Sequence, residues 1–190
     1  MAAIPVVSLV AVLAAAAPVS ELLIDDFAAG DGRSRLGTEW RFVSDGVMGG
    51  RSTGRLDWDE IRGRRALCLR GEVSLANDGG FIQATLDLAP SGTLDGRDWS
   101  GIRLLVQGNG ERYNLHLKTL DLRLPWQSYR STFTAEPDWQ DVHLPFAGFV
   151  AHRVQTPLDV RRLRRLALVA IGRAFEAELC VAEIGLYRER

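Results

Sequence analysis

The nine residues SDGVMGGRS, from Ser44 to Ser52, combine an acid, three glycines and an arginine. Such a segment could cradle a phosphate, form a catalytic loop or make a tight turn. A phosphate cradle requires a strand, a glycine-rich turn and then a helix whose N-terminal amides face the anion. The residues that follow, TGRLDW, have the pattern of a strand instead. We therefore predict a turn or bulge whose glycines adopt positive φ, with a backbone-lined nook for an anion or a partner as the alternative.

The ionisable side chains form no recognisable catalytic motif. His116, His143 and His152 are scattered along the chain, and no serine stands in a nucleophile-elbow context. His116 lies beside Asn114 and Lys118 on the polar side of a predicted strand, so a sheet face open to solvent is expected. A hydrolase or isomerase would need His116 to meet a carboxylate in a pocket. We therefore predict that the chain is not an enzyme and binds no cofactor. We also predict no metal, because the sequence contains no CxxC motif and no cluster of cysteine and histidine residues.

Aromatic side chains are concentrated between residues 126 and 139. Trp126, Tyr129, Phe133 and Trp139 are interleaved with polar residues. On a β-sandwich, such a set forms either part of the core or a stacking platform for a sugar or a peptide. An exposed platform of Trp126 and Tyr129 is the feature that a carbohydrate-binding protein would need.

A compact basic run, RRLRR, covers Arg161 to Arg165. It is predicted to be a solvated face, and contact with acidic lipid or a partner is the alternative. The formal net charge of the whole chain is −1, so its charge does not favour nucleic acid as a partner.

The elements that must position these residues are strands. The chain has 190 residues, 46% of them hydrophobic, which is typical of one globular domain with a core. Roughly nine short apolar or alternating runs with regular turn signals predict a two-sheet β-sandwich or jelly roll. The GNG sequence at 108–110 predicts a hairpin between strands at 102–106 and 113–118. Only residues 158–166 favour a helical turn.

The first twenty residues differ from the rest of the chain. They carry no charged side chain, and their apolar run ends in the small residues Ala14 to Ala17, as in a secretory signal peptide. No lysine or arginine precedes the run, and Pro18 follows the cleavage point. An exported or periplasmic location is favoured, with a cytoplasmic one as the alternative. Pro5 and the many alanines argue against a firm membrane span. The predicted segments are a leader, 1–20, and a β-sandwich domain, 21–190.

Cys68 and Cys180 are the only cysteines. One alternative is a disulfide that joins two distant strands, which export would favour. The other is a pair of free thiols within packed strands. The sequence leaves both open.

Several motifs in order resemble the CIA30 family, named for complex I intermediate-associated protein 30. Trp40, then the SDGVMGG segment and Ser52, is similar to the family's DGVMGG-S signature. An NDGGF loop at 77–81 and a GNGERY segment at 108–113 follow, and a W-to-LPF strand at 139–146 completes the order. The resemblance implies a galactose-binding-like jelly-roll β-sandwich, in agreement with the strand count.

The resemblance also implies a non-catalytic, protein-binding domain. Family members act as assembly factors or chaperones for respiratory complex I, so complex I subunits are the expected partner. An exported protein would not meet the cytoplasmic arm of complex I, so the leader and this role point to different compartments. A carbohydrate-binding module of the same fold, exported, is the alternative.

Recognition is predicted at loops on one rim of the sandwich, where the SDGVMGG and NDGGF segments both lie. Asp45 is expected to accept backbone N–H bonds and to hold the turn, so that Val47 and Met48 face outward. Met is an adaptable contact residue. The residues predicted to contact the partner, or a sugar in the alternative, are Asp45, Val47, Met48, Asn77, Asp78, Trp126 and Tyr129.

Overall fold

The computed structural model describes residues 21–189, so the predicted leader, 1–20, lies outside the described residues. Within 21–189 the chain forms twelve strands and four short 3-10 turns. The strands are β1 Glu21–Asp25, β2 Arg41–Ser44, β3 Thr53–Ile61, β4 Arg64–Val73, β5 Phe81–Asp87, β6 Gly101–Gly108, β7 Glu111–Thr119, β8 Ser128–Ala135, β9 Gln140–Pro145, β10 Val150–His152, β11 Leu163–Ile171 and β12 Phe175–Tyr187. The 3-10 turns are Asp45–Met48, Ala76–Asp78, Phe146–Gly148 and Val160–Arg162. This part of the chain contains no helix long and apolar enough to cross a bilayer.

The strands form two antiparallel sheets, which confirms the predicted all-β sandwich. Sheet 1 has the order β3-β4-β12-β6-β9, with β1 also paired to β12, and sheet 2 has the order β10-β8-β7-β11-β5-β2. Alternate residues of each strand point to opposite faces, so one set fills the space between the sheets and the other faces out. The core between the sheets includes Leu67, Leu104, Ile184, Leu86, Leu115 and Leu168.

Strands β2 and β10, which cover Arg41–Ser44 and Val150–His152, have no counterpart in the sequence prediction. They are the two edge strands of sheet 2 and are four and three residues long. A segment this short cannot display an alternating pattern, so its strand character depends on a neighbour that supplies hydrogen bonds. The predicted helical turn at 158–166 is a single 3-10 turn that leads directly into β11.

The predicted hairpin at the GNG sequence is wrong. Strand β6 belongs to sheet 1 and β7 to sheet 2, so Gly108 to Gly110 carries the chain from one sheet to the other. The side chain of Asn109 anchors this crossing: its amide donates to the Glu176 carbonyl at 2.7 Å, and its Oδ1 accepts from the Tyr113 hydroxyl at 2.7 Å. The glycines specify a reversal of the chain, but they do not specify which strands pair afterwards.

Cys68 and Cys180 form a disulfide, so the first of the two alternatives is the observed one. The two residues are directly opposite each other in the pairing of β4 with β12. They lie on the outer face of sheet 1 in a small apolar cluster with Ala66 and Ala182. The bond therefore joins neighbouring central strands that are 112 residues apart in sequence.

Candidate functional site

Two connections between the sheets meet at one end of the sandwich. The segment 45–52 leads from β2 in sheet 2 to β3 in sheet 1, and the segment 74–80 leads from β4 in sheet 1 to β5 in sheet 2. The first contains the SDGVMGG sequence and the second contains the NDGG sequence. The structure thus brings together the two loops that the sequence placed on one rim.

Asp45 joins these loops, and we call this arrangement the Asp45 clamp. The carboxylate is fully buried and accepts the Ser52 N–H at 2.9 Å and the Ser52 hydroxyl at 2.5 Å. From the second loop it accepts the N–H groups of Gly80 at 2.5 Å and Phe81 at 3.2 Å. A buried carboxylate is stable only when donors replace its water, and four donors do so here.

The clamp also changes the acidity of Asp45. Burial alone raises the pKa of this carboxyl, but the hydrogen bonds from Ser52, Gly80 and Phe81 outweigh burial and hold the pKa below its ordinary value. Asp45 is therefore a carboxylate at neutral pH, which is the form that can accept all four hydrogen bonds.

The glycines of the signature have two different structural roles. Only Gly49 of the three has positive φ, at 88°, and it ends the 3-10 turn in the left-handed region. Gly50 has negative φ but lies against Asp45: a Cβ there would be 2.3 Å from the carboxylate carbon. The prediction of positive φ thus holds for Gly49, whereas Gly50 is needed because a side chain would occupy the place of the Asp45 carboxylate.

The clamp exposes an apolar surface on the joined loops. Val47 is 74% exposed and Met48 is 64% exposed at the tip of the 3-10 turn, and Leu75 on the second loop is half exposed. We call these three residues the rim patch. Asn77 ties the loops together by donating from its side-chain amide to the Gly49 carbonyl at 3.1 Å, and Asp78 is exposed beside it.

Leu75 was missed by sequence reasoning. Its neighbours are Ser74 and Ala76 in a loop, and one leucine there carries no periodic signal that distinguishes a buried position from an exposed one. The direct roles predicted for Val47, Met48, Asn77 and Asp78 in partner contact stay predictions. Asp45 itself is buried, so it positions the loop rather than touching a partner.

Trp126 and Tyr129 do not form an aromatic platform; for Tyr129 the structure shows the other alternative, a place in the core. Tyr129 is only 2% exposed, because it points toward the core side of sheet 2 opposite Leu117. Its hydroxyl donates to the carbonyl of Thr156 at 3.0 Å. Trp126 is 48% exposed in the β7–β8 loop, so it cannot stack a ligand together with Tyr129.

His116 lies on the outer face of sheet 2, as predicted, but it is buried there. It is 7% exposed, between Arg130 of β8 and Ala167 of β11, and its Nε2 has no hydrogen-bond partner. Burial, then the positive charges of Arg130, Lys118 and His152, lower the pKa of His116 to about 3, so its imidazole is neutral. Every charged group that acts on it is a cation, so the His–carboxylate pair of a hydrolase is not assembled. Residues 21–189 contain no group of three His, Cys, Asp or Glu residues suited to a metal.

The two sheets form a jelly roll, a fold shared with solved carbohydrate-binding modules. The family 11 carbohydrate-binding module from Clostridium thermocellum, in complex with a β-1,3-1,4-mixed-linked tetrasaccharide, superposes with a TM-score of 0.67 at 16% identity, over 90% of this chain and 98% of that one. The family 30 module of a cellulosomal cellulase of the same organism gives a TM-score of 0.55 at 17% identity, over 72% and 83% of the two chains. At such low identity the likeness concerns the fold, and it confirms the predicted jelly roll.

The chain belongs to the Complex I intermediate-associated protein 30 (CIA30) family, whose model matches residues 27–181. The match includes both loops of the Asp45 clamp and confirms the resemblance carried by the DGVMGG segment. Comparison with curated proteins gives no match.

Proposed function

We propose that this chain is a non-catalytic, protein-binding domain that docks a partner through the rim patch. The observation that carries this proposal is the Asp45 clamp. A buried carboxylate uses its hydrogen-bonding capacity to hold a turn whose most exposed side chains, Val47 and Met48, are apolar. A preorganised apolar tip loses little conformational entropy when a partner covers it.

The composition of the rim patch supports a protein as the partner. Valine, methionine and leucine offer an aliphatic surface, and methionine adapts its shape to an irregular counterpart. Sugars are more often held by aromatic stacking and planar polar groups, and the rim patch contains neither. The CIA30 family is named for association with a complex I intermediate, so subunits of respiratory complex I are the first partners to test.

The test is crosslinking and affinity capture with the full chain and the double variant Val47→Ser/Met48→Ser. Partner capture should fall about tenfold or more. Burial of two exposed apolar side chains at an interface contributes about 2 to 3 kcal/mol to the free energy of binding, and the serine variant loses most of it. Val150→Ser is the matched control, since Val150 is 70% exposed on edge strand β10. Equal capture by the double variant and the control would refute docking at the rim patch.

The compartment is decided by a separate measurement. The Cys68–Cys180 disulfide supports an exported location, because the cytosol keeps most thiols reduced. Sequencing of the mature N-terminus should then find a chain that lacks residues 1–20. An intact Met1 in a cytoplasmic fraction, together with captured complex I subunits, would instead favour the cytoplasmic alternative.

A second candidate function is carbohydrate binding on the outer face of sheet 2. The observation in its favour is the unpaired Nε2 of His116, which lies close to the polar side chains of Asn114 and Arg130 on that face. The nitrogen is covered in the free protein, so a sugar hydroxyl would reach it only after a covering side chain moves aside; a neutral imidazole then pairs readily with a hydroxyl. A glycan array with wild-type protein and His116→Phe tests this role. Binding that His116→Phe abolishes would support it, and an array without any bound glycan would exclude it.

A further inference from the structure

The β7–β8 loop, residues 120–127, exposes a second apolar surface at the other end of sheet 2. Leu120, Leu124 and Trp126 are each close to half exposed. The loop is nevertheless held in place. The side-chain oxygen of Gln127 accepts the N–H groups of Arg123 at 3.1 Å and Leu124 at 3.0 Å. The exposed side chains therefore sit on a defined loop and are not the tips of a frayed segment.

A cationic pocket lies directly beside these apolar tips. It is a cavity of about 200 Å³ whose charged lining consists of Lys118, Arg123, Arg164 and Arg165. Leu124 and Pro125 of the loop complete its wall. Leu124 is thus both an apolar tip and part of the pocket wall, and Trp126 follows Pro125 of that wall directly in the chain.

The positive charges of this pocket are only partly compensated. Arg165 pairs with Asp87 at 2.6 Å, but Asp87 is shared with Arg41. Within residues 21–189, Lys118, Arg123 and Arg164 form no ion pair. The pocket therefore holds four cations, of which only Arg165 is paired with a carboxylate among the described residues.

The acidity of Lys118 reflects this surplus of positive charge. Burial, and then the charges of Arg165, Arg164 and Arg130, lower the pKa of the Lys118 ammonium. Its Nζ donates to the Pro125 carbonyl at 2.5 Å, a neutral partner that does not balance the charge. An anionic group in the pocket would offset the repulsion and the lost hydration together.

We propose that this end of sheet 2 is a docking site for anionic phospholipid membranes. A headgroup phosphate occupies the cationic pocket, while Leu124 and Trp126 enter the interface between headgroups and acyl chains. Tryptophan is enriched at that depth, and aliphatic side chains beside basic residues are typical of surfaces that lie on a bilayer. Lipid is favoured over an acidic protein because the exposed apolar tips of the anchored loop adjoin cations from the same loop and from strands β7 and β11. The basic run at 161–165, which the sequence left as a solvated face or a lipid contact, supplies two of the cations.

The experiment is vesicle flotation of the full chain with phosphatidylcholine vesicles and with equal mixtures of phosphatidylcholine and phosphatidylglycerol. Binding should occur only with the anionic mixture and should weaken as salt rises. The double variant Arg123→Gln/Arg164→Gln should bind about 30-fold more weakly, because each cation near an anionic surface contributes a factor of roughly five. Trp126→Ala should also reduce binding.

Two controls make the result specific. Arg112→Gln removes a cation from the opposite end of β7, and Met48→Ser removes an exposed apolar side chain of the rim patch. Both should float like wild type. An equal loss with Arg112→Gln would mean that overall charge drives binding, and the proposed site would be wrong.

The source of the phosphate is resolved by titrations with inorganic phosphate and with glycerol phosphate. If either binds the pocket while anionic vesicles do not, the membrane proposal is overturned. This proposal is also separable from protein binding at the rim patch. Loss of vesicle binding in Arg123→Gln/Arg164→Gln with unchanged partner capture would support two independent surfaces.

Discussion

The two ends of sheet 2 carry ionised groups in opposite circumstances. At one end, Ser44 pairs with Ile82 and the adjoining Asp45 is a buried anion surrounded by four donors. At the other end, Lys118 pairs with Arg165 beside a cavity where cations outnumber carboxylates. A charge with all its hydrogen bonds within the protein stabilises the fold, whereas a charge without a counterion is available for a ligand.

This difference separates structural residues from candidate binding residues. The Asp45 clamp fixes a loop and displays uncharged side chains, so its charge is not offered to a partner. The cationic pocket displays its charges. Variants at the two ends should therefore differ most in the free energy of unfolding, and the predictions below run from the largest expected effect to the smallest.

Replacement of Asp45 by asparagine should have the largest effect on stability. Asparagine has one acceptor oxygen and one NH2 group, so the donors that face the NH2 group, either the Ser52 N–H or the Gly80 N–H, lose their acceptor and meet another donor. We expect a loss of about 3 kcal/mol in the free energy of unfolding and a melting temperature about 10 °C lower. Urea and thermal unfolding measure both. Asp78→Asn, an exposed acid on the neighbouring loop, is the matched control and should change stability by less than about 0.5 kcal/mol. Equal stability of the two variants would contradict a structural role for the clamp.

Replacement of Arg103 by methionine tests the same rule with a paired cation on sheet 1. Arg103 donates to Glu21, Asp141 and Glu183, at distances of 2.8 to 2.9 Å. Its removal leaves three carboxylates close together, and we expect a loss of about 1–2 kcal/mol that high salt partly restores. Urea unfolding at low and high salt measures this effect. Arg112→Met is the comparison, and a similar loss in both variants would show that the pairing of Arg103 has no special weight.

The dependence of stability on pH should also distinguish Asp45. Its folded-state pKa lies below the usual 3.8, so at acidic pH the unfolded chain binds more protons than the folded one. The stability that Asp45 contributes is present above that usual value and is lost as pH falls through the lower, folded pKa. Urea midpoints measured from about pH 5 to pH 2 should therefore fall less steeply in Asp45→Asn than in wild type. Parallel curves for the two proteins would mean that Asp45 does not contribute to the acid limb.

The smallest effect on stability is expected for Arg123→Gln/Arg164→Gln. These arginines form no ion pair within the described residues, so their removal relieves repulsion without breaking a contact between charges. The free energy of unfolding should stay within about 0.5 kcal/mol of wild type, or rise slightly. A loss above about 1 kcal/mol in urea unfolding would mean that the two arginines stabilise the fold, as Asp45 does. The proposed difference between the two ends of sheet 2 would then be wrong.

The alternating strands were predictable because burial on one face leaves a mark with a period of two. Tyr113 to Lys118 and Phe175 to Val181 are examples, and both are strands of the sandwich. The short edge strands β2 and β10 were not predictable, since their pairing is supplied by neighbours. The same limit explains Tyr129, whose aromatic type suits a platform or a core equally well. Only its position opposite Leu117 determines that it is buried.

The candidate site was predictable in part. The DGVMGG segment marked the loop, and the prediction that Asp45 accepts backbone N–H bonds agrees with the observed contacts. The partners of those bonds were not predictable, because Gly80 lies 35 residues away from Asp45. The sequence showed the cationic pocket only as the basic run at 161–165, because Lys118 comes from strand β7 and Arg123 from the β7–β8 loop.

The sequence by itself determined the all-β architecture, the glycine turn and the presence of two cysteines, because these follow from composition and from preferences within a few residues. The tertiary structure decided that Cys68 faces Cys180, that GNG crosses between sheets and that cations of β7, β11 and the β7–β8 loop share one cavity. Each of these depends on which strands become neighbours and in what register. That choice is made by the burial of the whole core and not by any local segment.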